Sequence, residues 1–191
     1  MPLAEPAPLE LNVRRDRTMF VIDDLSTVNL RQETVLTIGA FDGVHRGHQA
    51  LVGSVVSRAR ASDRLAGLIT FHPHPAVVLA PGRAPRYLTT PGEKVALLEG
   101  LGLDLVVLMR FNQELATISA RDFVERVATR LRLSELWVGA DFAMGHNREG
   151  DVSRLRLLGQ EFGYTVHVVD PVLDEGGPIS SSRIRALLRE G

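Results

Sequence analysis

The chain has 191 residues, 45% of them hydrophobic, with no cysteine and a formal net charge of −1 from 22 Lys plus Arg against 23 Asp plus Glu. A chain of this length is typical of one globular domain, and its near-neutral charge argues against a polybasic nucleic-acid binder. The lack of cysteine excludes a disulfide scaffold, a cysteine-based zinc ribbon and thiol catalysis.

The first 32 residues are predicted to be a leader that is partly disordered or forms an edge strand. Acidic residues and prolines stand where a signal peptide would carry a basic patch and then an apolar run. Apolar runs elsewhere are much shorter than the roughly 18 residues that a membrane helix requires. We therefore expect a cytoplasmic protein with no membrane or nucleic-acid partner, folded over residues 33–191.

Short apolar runs alternate with amphipathic stretches from Val35 onward. The predicted strands are Val35–Gly39, Leu65–Phe71, Leu105–Met109, Leu136–Gly139 and Thr165–Val169. The first predicted helix carries the apolar set Leu51, Val52, Val55, Val56 and Ala59, and the second carries Val95, Leu97, Leu98 and Leu101 after a capping box at Thr90–Glu93. The third follows Ser119 and carries Phe123, Val124, Val127 and Leu131. The fourth is Val152–Phe162, with Leu155, Leu158 and Phe162 in register, and a last helix follows Ser180. Prolines predict a long irregular loop after Phe71. This alternation predicts an α/β domain with a doubly wound parallel sheet in three layers, α/β/α.

The segment Gly39-Ala-Phe-Asp-Gly-Val-His-Arg-Gly-His48 joins the first of these strands to the first helix. Doubly wound folds bind ligands at the carboxyl ends of their strands, where this segment is expected to lie. Its three glycines allow tight turns and close backbone approach, and His45 and His48 would stand beside a helix N-terminus. Backbone amides, the helix dipole and two imidazoles together favour an anionic phosphate.

This pattern, Gly-x-Phe-Asp-x-x-His-x-Gly-His, resembles the signature of the HxGH nucleotidylyltransferase superfamily. Its Asp-Gly-Val-His form with Gln49 is similar to the bacterial FAD synthetase branch. Further similarity lies in Thr70-Phe-His-Pro-His-Pro75, Leu88-Thr-Thr-Pro-Gly-Glu-Lys94, Val138-Gly-Ala-Asp-Phe142 and Ile179-Ser-Ser-Ser-Arg-Ile-Arg185. The resemblance implies a Rossmann-like fold and the transfer of AMP from ATP to FMN, which yields FAD and pyrophosphate.

The same resemblance implies roles for individual residues. The catalytic residues, which would hold the ATP phosphates and stabilise developing charge, are His45, His48, Ser181, Ser182 and Arg185. The nucleotide would also contact Gly39, Phe41, Asp42, Gly43, Gly47, Gly139, Asp141, Phe142, Ile179 and Ser180. The flavin would lie under a lid that comprises Thr70, Phe71, Pro73, His74 and Pro75. Mg²⁺ would arrive with ATP, held mainly by phosphate oxygens and water, with no protein ligand assigned.

Several features depart from the usual family pattern. Ala40, His72, Met144 and Ser182 stand where relatives usually have Asn, an acidic or amide residue, Phe and Thr. Bacterial FAD synthetases also typically continue into a β-barrel riboflavin kinase domain, whereas this sequence stops at Gly191. We expect no kinase activity from it, and whether a separate riboflavin kinase supplies the FMN stays open.

Other interpretations of these residues stay open. One rival is a nucleotidylyltransferase for another phosphorylated acceptor, such as phosphopantetheine or glycerol phosphate; another is a nucleotide- or flavin-binding module without turnover. A zinc site would need three or four ligands, and no cysteine or suitably spaced carboxylate joins the histidines. Considered alone, Ser180–Ser182 fits a helix cap and Trp137 fits core packing. Arg148 fits a solvated surface charge equally well.

Overall fold

Six parallel strands form the central sheet. The computed structural model describes residues 9–11 and 19–191, so residues 1–8 and 12–18 of the predicted leader lie outside the described residues. The strands are β1 (Leu9–Leu11), β2 (Phe20–Ile22), β3 (Val28–Leu30), β4 (Thr34–Ile38), β5 (Leu65–His72), β6 (Leu105–Arg110), β7 (Leu133–Gly139), β8 (Ala143–Met144), β9 (Gly150–Asp151), β10 (Thr165–Val169), β11 (Leu173–Asp174) and β12 (Gly177–Pro178). The central sheet has the order β10-β7-β4-β5-β6-β2, and every neighbouring pair is parallel.

Helices cover both faces of this sheet. They are α1 (Arg46–Ala61), α2 (Pro75–Leu79), α3 (Pro91–Glu99), α4 (Gln113–Thr117), α5 (Ala120–Leu131), α6 (Val152–Phe162) and α7 (Ser181–Glu190). Side chains of α1 and α3 pack on one face, and those of α5 and α6 pack on the other. The predicted three-layer, doubly wound α/β fold is confirmed. Within the described residues, no helix combines the length and apolar character needed to cross a bilayer.

Each face of the sheet has its own apolar core, because successive side chains of a strand point to opposite sides. All five residues of β4 are buried, as expected for a central parallel strand. Val35 belongs to the core beneath α1, with Val52, whereas Leu36 and Ile38 belong to the core beneath α5, with Phe123. The strand ends that carry the candidate site are therefore fixed by packing on both sides.

The order of the strands reverses beside β4. Strands β4, β5 and β6 follow one another in one direction, and the chain then returns to place β7 and β10 on the other side of β4. A doubly wound sheet has its ligand crevice at such a point, outside the carboxyl ends of the strands. Here the segments that follow Ile38 and Gly139 leave from these ends.

Side chains at the N-caps fix where the main helices begin. Thr90 and Glu93 form the predicted capping box, with Pro91 in the first turn of α3. Ser119 accepts a hydrogen bond from the Asp122 amide at the start of α5, and Ser180 caps α7 in the same way. These starts confirm the prediction because capping chemistry is local to a few residues.

Two predictions need correction. The segment after Phe71 is not an irregular loop throughout, since Pro75–Leu79 forms α2 and Pro81–Arg83 forms a 3₁₀ turn. Proline at the first helical position costs no hydrogen bond, because that amide would be unpaired anyway. On α3, the predicted core residue Leu97 is 48% exposed, whereas Lys94 is 4% exposed.

Short strands extend the fold beyond the strands and helices predicted from Val35 onward. Phe20–Ile22 pairs with β6 as the edge of the central sheet, and β1 pairs with β3 in a separate parallel ribbon. The two-residue hairpins β8–β9 and β11–β12 lie in the connections before α6 and α7. Elements of two or three residues carry too little periodicity to be recognised in a sequence.

Candidate active site

The segment from Gly39 to His48 runs from the carboxyl end of β4 into α1. The Gly39 amide still donates to the Ile69 carbonyl of β5 at 3.0 Å, after which the chain leaves the sheet. Gly43 has φ +81°, and a Cβ there would lie 2.8 Å from the Leu88 side chain. Glycine is therefore required at this position by both its conformation and its surroundings.

His45 and His48 form a stacked pair at the start of α1, with ring centroids 3.6 Å apart and planes at 17°. Nδ1 of His45 accepts the His48 amide at 3.3 Å, so His45 is also the N-cap of the helix. The neutral His45 ring then carries its proton on Nε2. Nδ1 of His48 is buried, with no hydrogen-bond partner within the described structure.

Both imidazoles are neutral at physiological pH. Burial lowers the pKa of His45, and burial together with the adjacent His45 ring lowers the pKa of His48 to about 3. Two stacked cations would also repel one another at this distance. An anion that arrives beside the pair would reverse this effect and favour protonation.

Asp42 connects three parts of the site from a buried position. Its carboxylate accepts hydrogen bonds from the amides of Leu88 and Thr89 at 3.0 to 3.1 Å and pairs with the Arg185 guanidinium of α7. Its backbone carbonyl accepts the Ser181 hydroxyl at 2.8 Å. Burial opposes ionisation of Asp42, but the hydrogen bonds from Leu88, Arg185 and Thr89 outweigh it and hold the pKa below its ordinary value.

The N-terminus of α7 meets that of α1 across this network. A Cβ at Gly47 would lie 3.3 Å from the Ile179 carbonyl, which shows how closely the two segments approach. Ser180 caps α7, Ser181 is bonded to Asp42, and Ser182 is exposed. Nε of Arg185 also donates to the Arg86 carbonyl at 2.8 Å. Two helix N-termini, each a favourable position for an anion, thus converge beside the histidine pair.

The predicted flavin-binding residues lie at the carboxyl end of β5. The His72–Pro73 peptide is cis, and the Phe71 ring packs edge-on against Phe111 at 5.6 Å. His74 caps α2 through Nδ1 at 3.1 Å, and burial followed by the nearby Arg185 charge lowers its pKa. Phe71, Pro73, His74 and Pro75 are all partly exposed.

Thr70 differs from the other residues of this segment, since it is fully buried. Its hydroxyl donates to the Ala40 carbonyl at 2.9 Å, which ties the end of β5 to the segment that follows β4. Phe41 is also buried, and its ring packs 4.8 Å from that of His48. Both side chains therefore support the site from behind its surface.

The predicted nucleotide residues after β7 lie next along the sheet edge. Asp141 is exposed, and the Phe142 amide donates to the Gly139 carbonyl at 3.2 Å in a tight turn. Arg148 adopts a positive φ of 60° and donates to the Asp141 carbonyl at 3.2 Å. It is thus a structural link as well as an exposed cation.

Sequence reasoning missed Lys94 as a site residue. This buried side chain donates to the Ala40 carbonyl at 2.8 Å, the Thr70 hydroxyl at 3.2 Å and the Phe71 carbonyl at 3.3 Å. Burial lowers its pKa, and the Asp42 carboxylate opposes that effect. The amino-acid composition could have revealed it, because Lys94 is the sole lysine in the sequence.

Trp137 lies apart from His45 and His48, on a groove along the flank of α1. The groove has a volume of about 580 Å³ and is lined by Ala50, Gly53, Ser54, Ser57, Arg58 and Trp137. The indole stacks on His167 at 4.5 Å and is half-buried, so it packs at the margin of the core. Across the described part of the chain, no three His, Cys, Asp or Glu side chains group closely enough to hold a metal ion.

Comparison with known proteins places these features in a family. A family model described as FAD synthetase matches residues 28–183. The chain is 36% identical over 157 residues to a bifunctional riboflavin kinase/FMN adenylyltransferase of Escherichia coli (strain K12), which covers 82% of this chain and 50% of the relative. Proteins of the same name from Pseudomonas fluorescens and Bacillus subtilis (strain 168) are 38% and 32% identical over 164 and 161 residues, covering 84% and 83% of this chain and 52% and 50% of each relative.

A solved structure also matches. The crystal structure of a protein named as a macrolide-efflux protein from Streptococcus pneumoniae aligns with a TM-score of 0.74 and 26% identity, covering 88% of this chain and 57% of that one. Among the curated relatives named above, the chain spans about half of each relative's length.

Proposed function

The chain belongs to the FAD synthetase family, and we propose that it transfers AMP from ATP to FMN, giving FAD and pyrophosphate. The observation that carries this proposal is the convergence of two helix N-termini on the stacked pair of His45 and His48. Backbone amides, helix dipoles and imidazole N–H groups together form a site for several phosphate oxygens.

The reaction needs little acid–base chemistry from the protein. An oxygen of the FMN phosphate attacks the α-phosphorus of ATP, and a new P–O bond forms as the bond from that phosphorus to the bridging β-oxygen breaks. The electron pair of the broken bond leaves with pyrophosphate. The FMN phosphate is already ionised at neutral pH, so no side chain must remove a proton from the nucleophile.

His45 and His48 are proposed to stabilise the charge that develops on the α-phosphate and on the leaving pyrophosphate. Burial keeps both imidazoles neutral, and the approach of a triphosphate would raise the pKa of each. Stabilisation by donors that are already in place when charge develops is usually the largest single contribution to catalysis.

Ser181, Ser182 and Arg185 are proposed to hold the β- and γ-phosphates at the start of α7. Ser182 is exposed there and can donate its hydroxyl, whereas Ser181 and Arg185 are held by Asp42. The ion pair with Asp42 fixes the position of Arg185 and secures α7 against the body of the domain. Mg²⁺ is proposed to enter with ATP, coordinated by phosphate oxygens and water.

The flavin is proposed to bind at the carboxyl end of β5, under the segment that ends in α2. Phe71, Pro73, His74 and Pro75 are partly exposed there and offer an apolar surface suited to an isoalloxazine ring. Asp141 and the turn after β7 are proposed to border the adenosine on the other side of the histidine pair. The two substrates would then meet above β4 and β5.

An assay of the purified chain tests the proposal. Mg²⁺ and ATP are supplied with FMN, riboflavin, phosphopantetheine or glycerol phosphate, and the products are separated by chromatography while pyrophosphate is measured. We expect FAD and pyrophosphate in equal amounts from FMN, and no product from riboflavin, which lacks the phosphate nucleophile. Pyrophosphate release with phosphopantetheine or glycerol phosphate but not with FMN would identify a different acceptor substrate. Folded protein that binds ATP but releases no pyrophosphate would reject an enzymatic role.

A further inference from the structure

Lys94 is the one lysine of the sequence. The sequence has 22 Lys and Arg residues, and the other 21 are arginines. Long cationic side chains are almost never fully buried unless they are paired, yet Lys94 is 4% exposed. A chain that uses arginine at every other such position therefore keeps an ammonium group at a single internal one.

The surroundings of Nζ explain why arginine would not serve there. An ammonium has three donors around one atom, and three acceptors surround it: the Ala40 carbonyl, the Thr70 hydroxyl and the Phe71 carbonyl. Arginine presents five donors in a flat fork, which matches a carboxylate or phosphate edge rather than three acceptors around a point.

These three acceptors belong to two different segments of the chain. Ala40 begins the segment that leads from β4 to the histidine pair, whereas Thr70 and Phe71 end β5 and begin the proposed flavin segment. The Thr70 hydroxyl also donates to the Ala40 carbonyl, so this carbonyl receives two hydrogen bonds across the gap. Because both contacts of Ala40 use its backbone, the absence of the usual asparagine side chain at this position does not affect them.

The positive charge itself calls for an explanation. Among the described residues, no carboxylate lies within ion-pair distance of Lys94, and Asp42 acts on it only through space. Burying a charge without a contacting partner is costly, and a neutral donor could satisfy the same carbonyls. The charged and titratable groups that share its electrostatic environment are Asp42, His48 and His74.

We propose that Lys94 is a positioning residue for adenylyl transfer, which rests on the function proposed above. Its ammonium fixes the spacing between the segment that holds the ATP phosphates and the segment that holds the flavin. It also maintains a positive potential behind the place where the FMN phosphate meets the α-phosphate. Reacting groups displaced by about 1 Å can lose about 100-fold in rate, so this spacing bears directly on turnover.

A single lysine permits a direct measurement without any substitution. Selective ¹³C and ¹⁵N labelling of lysine gives one side-chain signal, which reports Lys94 alone. We expect ammonium protons protected from exchange at neutral pH, and a change in this signal when MgATP binds and again when FMN binds. A signal typical of a solvated lysine, unmoved by either ligand, would overturn the proposal.

Substitutions separate positioning from a role in stability. Lys94→Met removes the charge and all three hydrogen bonds, and Lys94→Arg keeps the charge but not the geometry. We expect each to lower kcat for FAD synthesis by about 100-fold while the Kd of ATP changes by less than about threefold. Leu97→Ala, on the exposed side of the same helix, is the matched control and should retain the kcat of the unaltered protein.

The outcomes are distinguishable. If Lys94 only stabilises the fold, its substitution should lower the urea midpoint and leave kcat per folded molecule unchanged. That result would refute the positioning role. Full kcat in Lys94→Arg would show that charge alone is needed and would also refute it. If the unaltered protein makes no FAD, the proposed function fails. The lysine signal would still report whether Lys94 couples to the site, and so would the pKa of His48, which should rise in Lys94→Met. If Lys94→Met does not fold, the arginine variant and the labelled protein decide.

Discussion

The Asp42 carboxylate should account for a large part of the folding free energy, and Asp42→Asn tests this. Both carboxylate oxygens accept hydrogen bonds, from the Leu88 and Thr89 amides and from the Arg185 guanidinium. Asparagine replaces one of these acceptors by a donor that would face another donor. It also leaves Arg185, whose side chain is 14% exposed, without its counterion.

The expected loss is about 3–5 kcal/mol, the usual consequence of breaking a buried pair while one charge remains. This is a large share of the roughly 5–15 kcal/mol that stabilises a typical domain. Equilibrium urea unfolding, followed by circular dichroism, measures it as a lower midpoint at unchanged slope. The charge-assisted bonds from two amides and one guanidinium are each worth about 1.5–3 kcal/mol, which supports an effect of this size.

The matched control is Asp174 of β11, whose partner Arg183 lies on α7, as Arg185 does. Arg183 pairs with Asp174 at 2.5 Å, but both side chains are substantially exposed, at 29% and 39%. Asp174→Asn should therefore lower the urea midpoint much less than Asp42→Asn does, because water screens an exposed ion pair. A loss below about 1.5 kcal/mol for Asp42→Asn, or a loss equal to that of the control, would refute the assignment of Asp42 as the buried connection between α1, α7 and the Leu88 segment.

Three further predictions follow from the same geometry. Because the pKa of Asp42 is lowered in the folded state, the stability difference between the unaltered protein and Asp42→Asn should be fully present above about pH 4 and shrink as the pH falls below it; a constant difference down to pH 2 would contradict this. The folded pKa of His48 is about 3 against 6.5 unfolded, so stability should decrease by up to about 1.4 kcal/mol for each pH unit as the pH is lowered between these values, and His48→Gln should reduce that slope. His48→Ala should lower kcat by about 100- to 1000-fold with the Kd of FMN unchanged, whereas His146→Ala, an exposed histidine, should leave both intact; equal effects would reject the role of His48.

Much of the fold could be predicted because its signals are local. Helix α6 has the predicted bounds Val152–Phe162, and β10 has the predicted bounds Thr165–Val169. The capping box at Thr90 and the cap at Ser119 act over three residues, so the sequence alone contains the whole interaction. The strand ends then follow from the alternation of strands and helices.

The parts that could not be predicted depend on contacts between distant residues. Asp42 and Arg185 are 143 residues apart, and Lys94 and Thr70 are 24 apart. The sequence predicts Asp42 as a nucleotide contact. Only the structure shows that its carboxylate is buried and connects Arg185 with the Leu88 and Thr89 amides. Lys94 precedes Val95 and lies one helical turn before Leu98, both of which periodicity predicts as apolar, so the pattern gives no sign of a buried cation there. Ligand contact by Ser182, Asp141 and the β5 segment stays a prediction.

The burial of the sole lysine also determines how the surface responds to amine chemistry. Acetylation removes the charge of a lysine, but a guanidinium is not a target of that reaction. With 21 arginines and its only ε-amine shielded, this sequence offers acyl donors no accessible lysine in the folded state. The Lys and Arg side chains of the folded protein should therefore keep their charge under acylating conditions, and acylation of Lys94 would report unfolding of the protein.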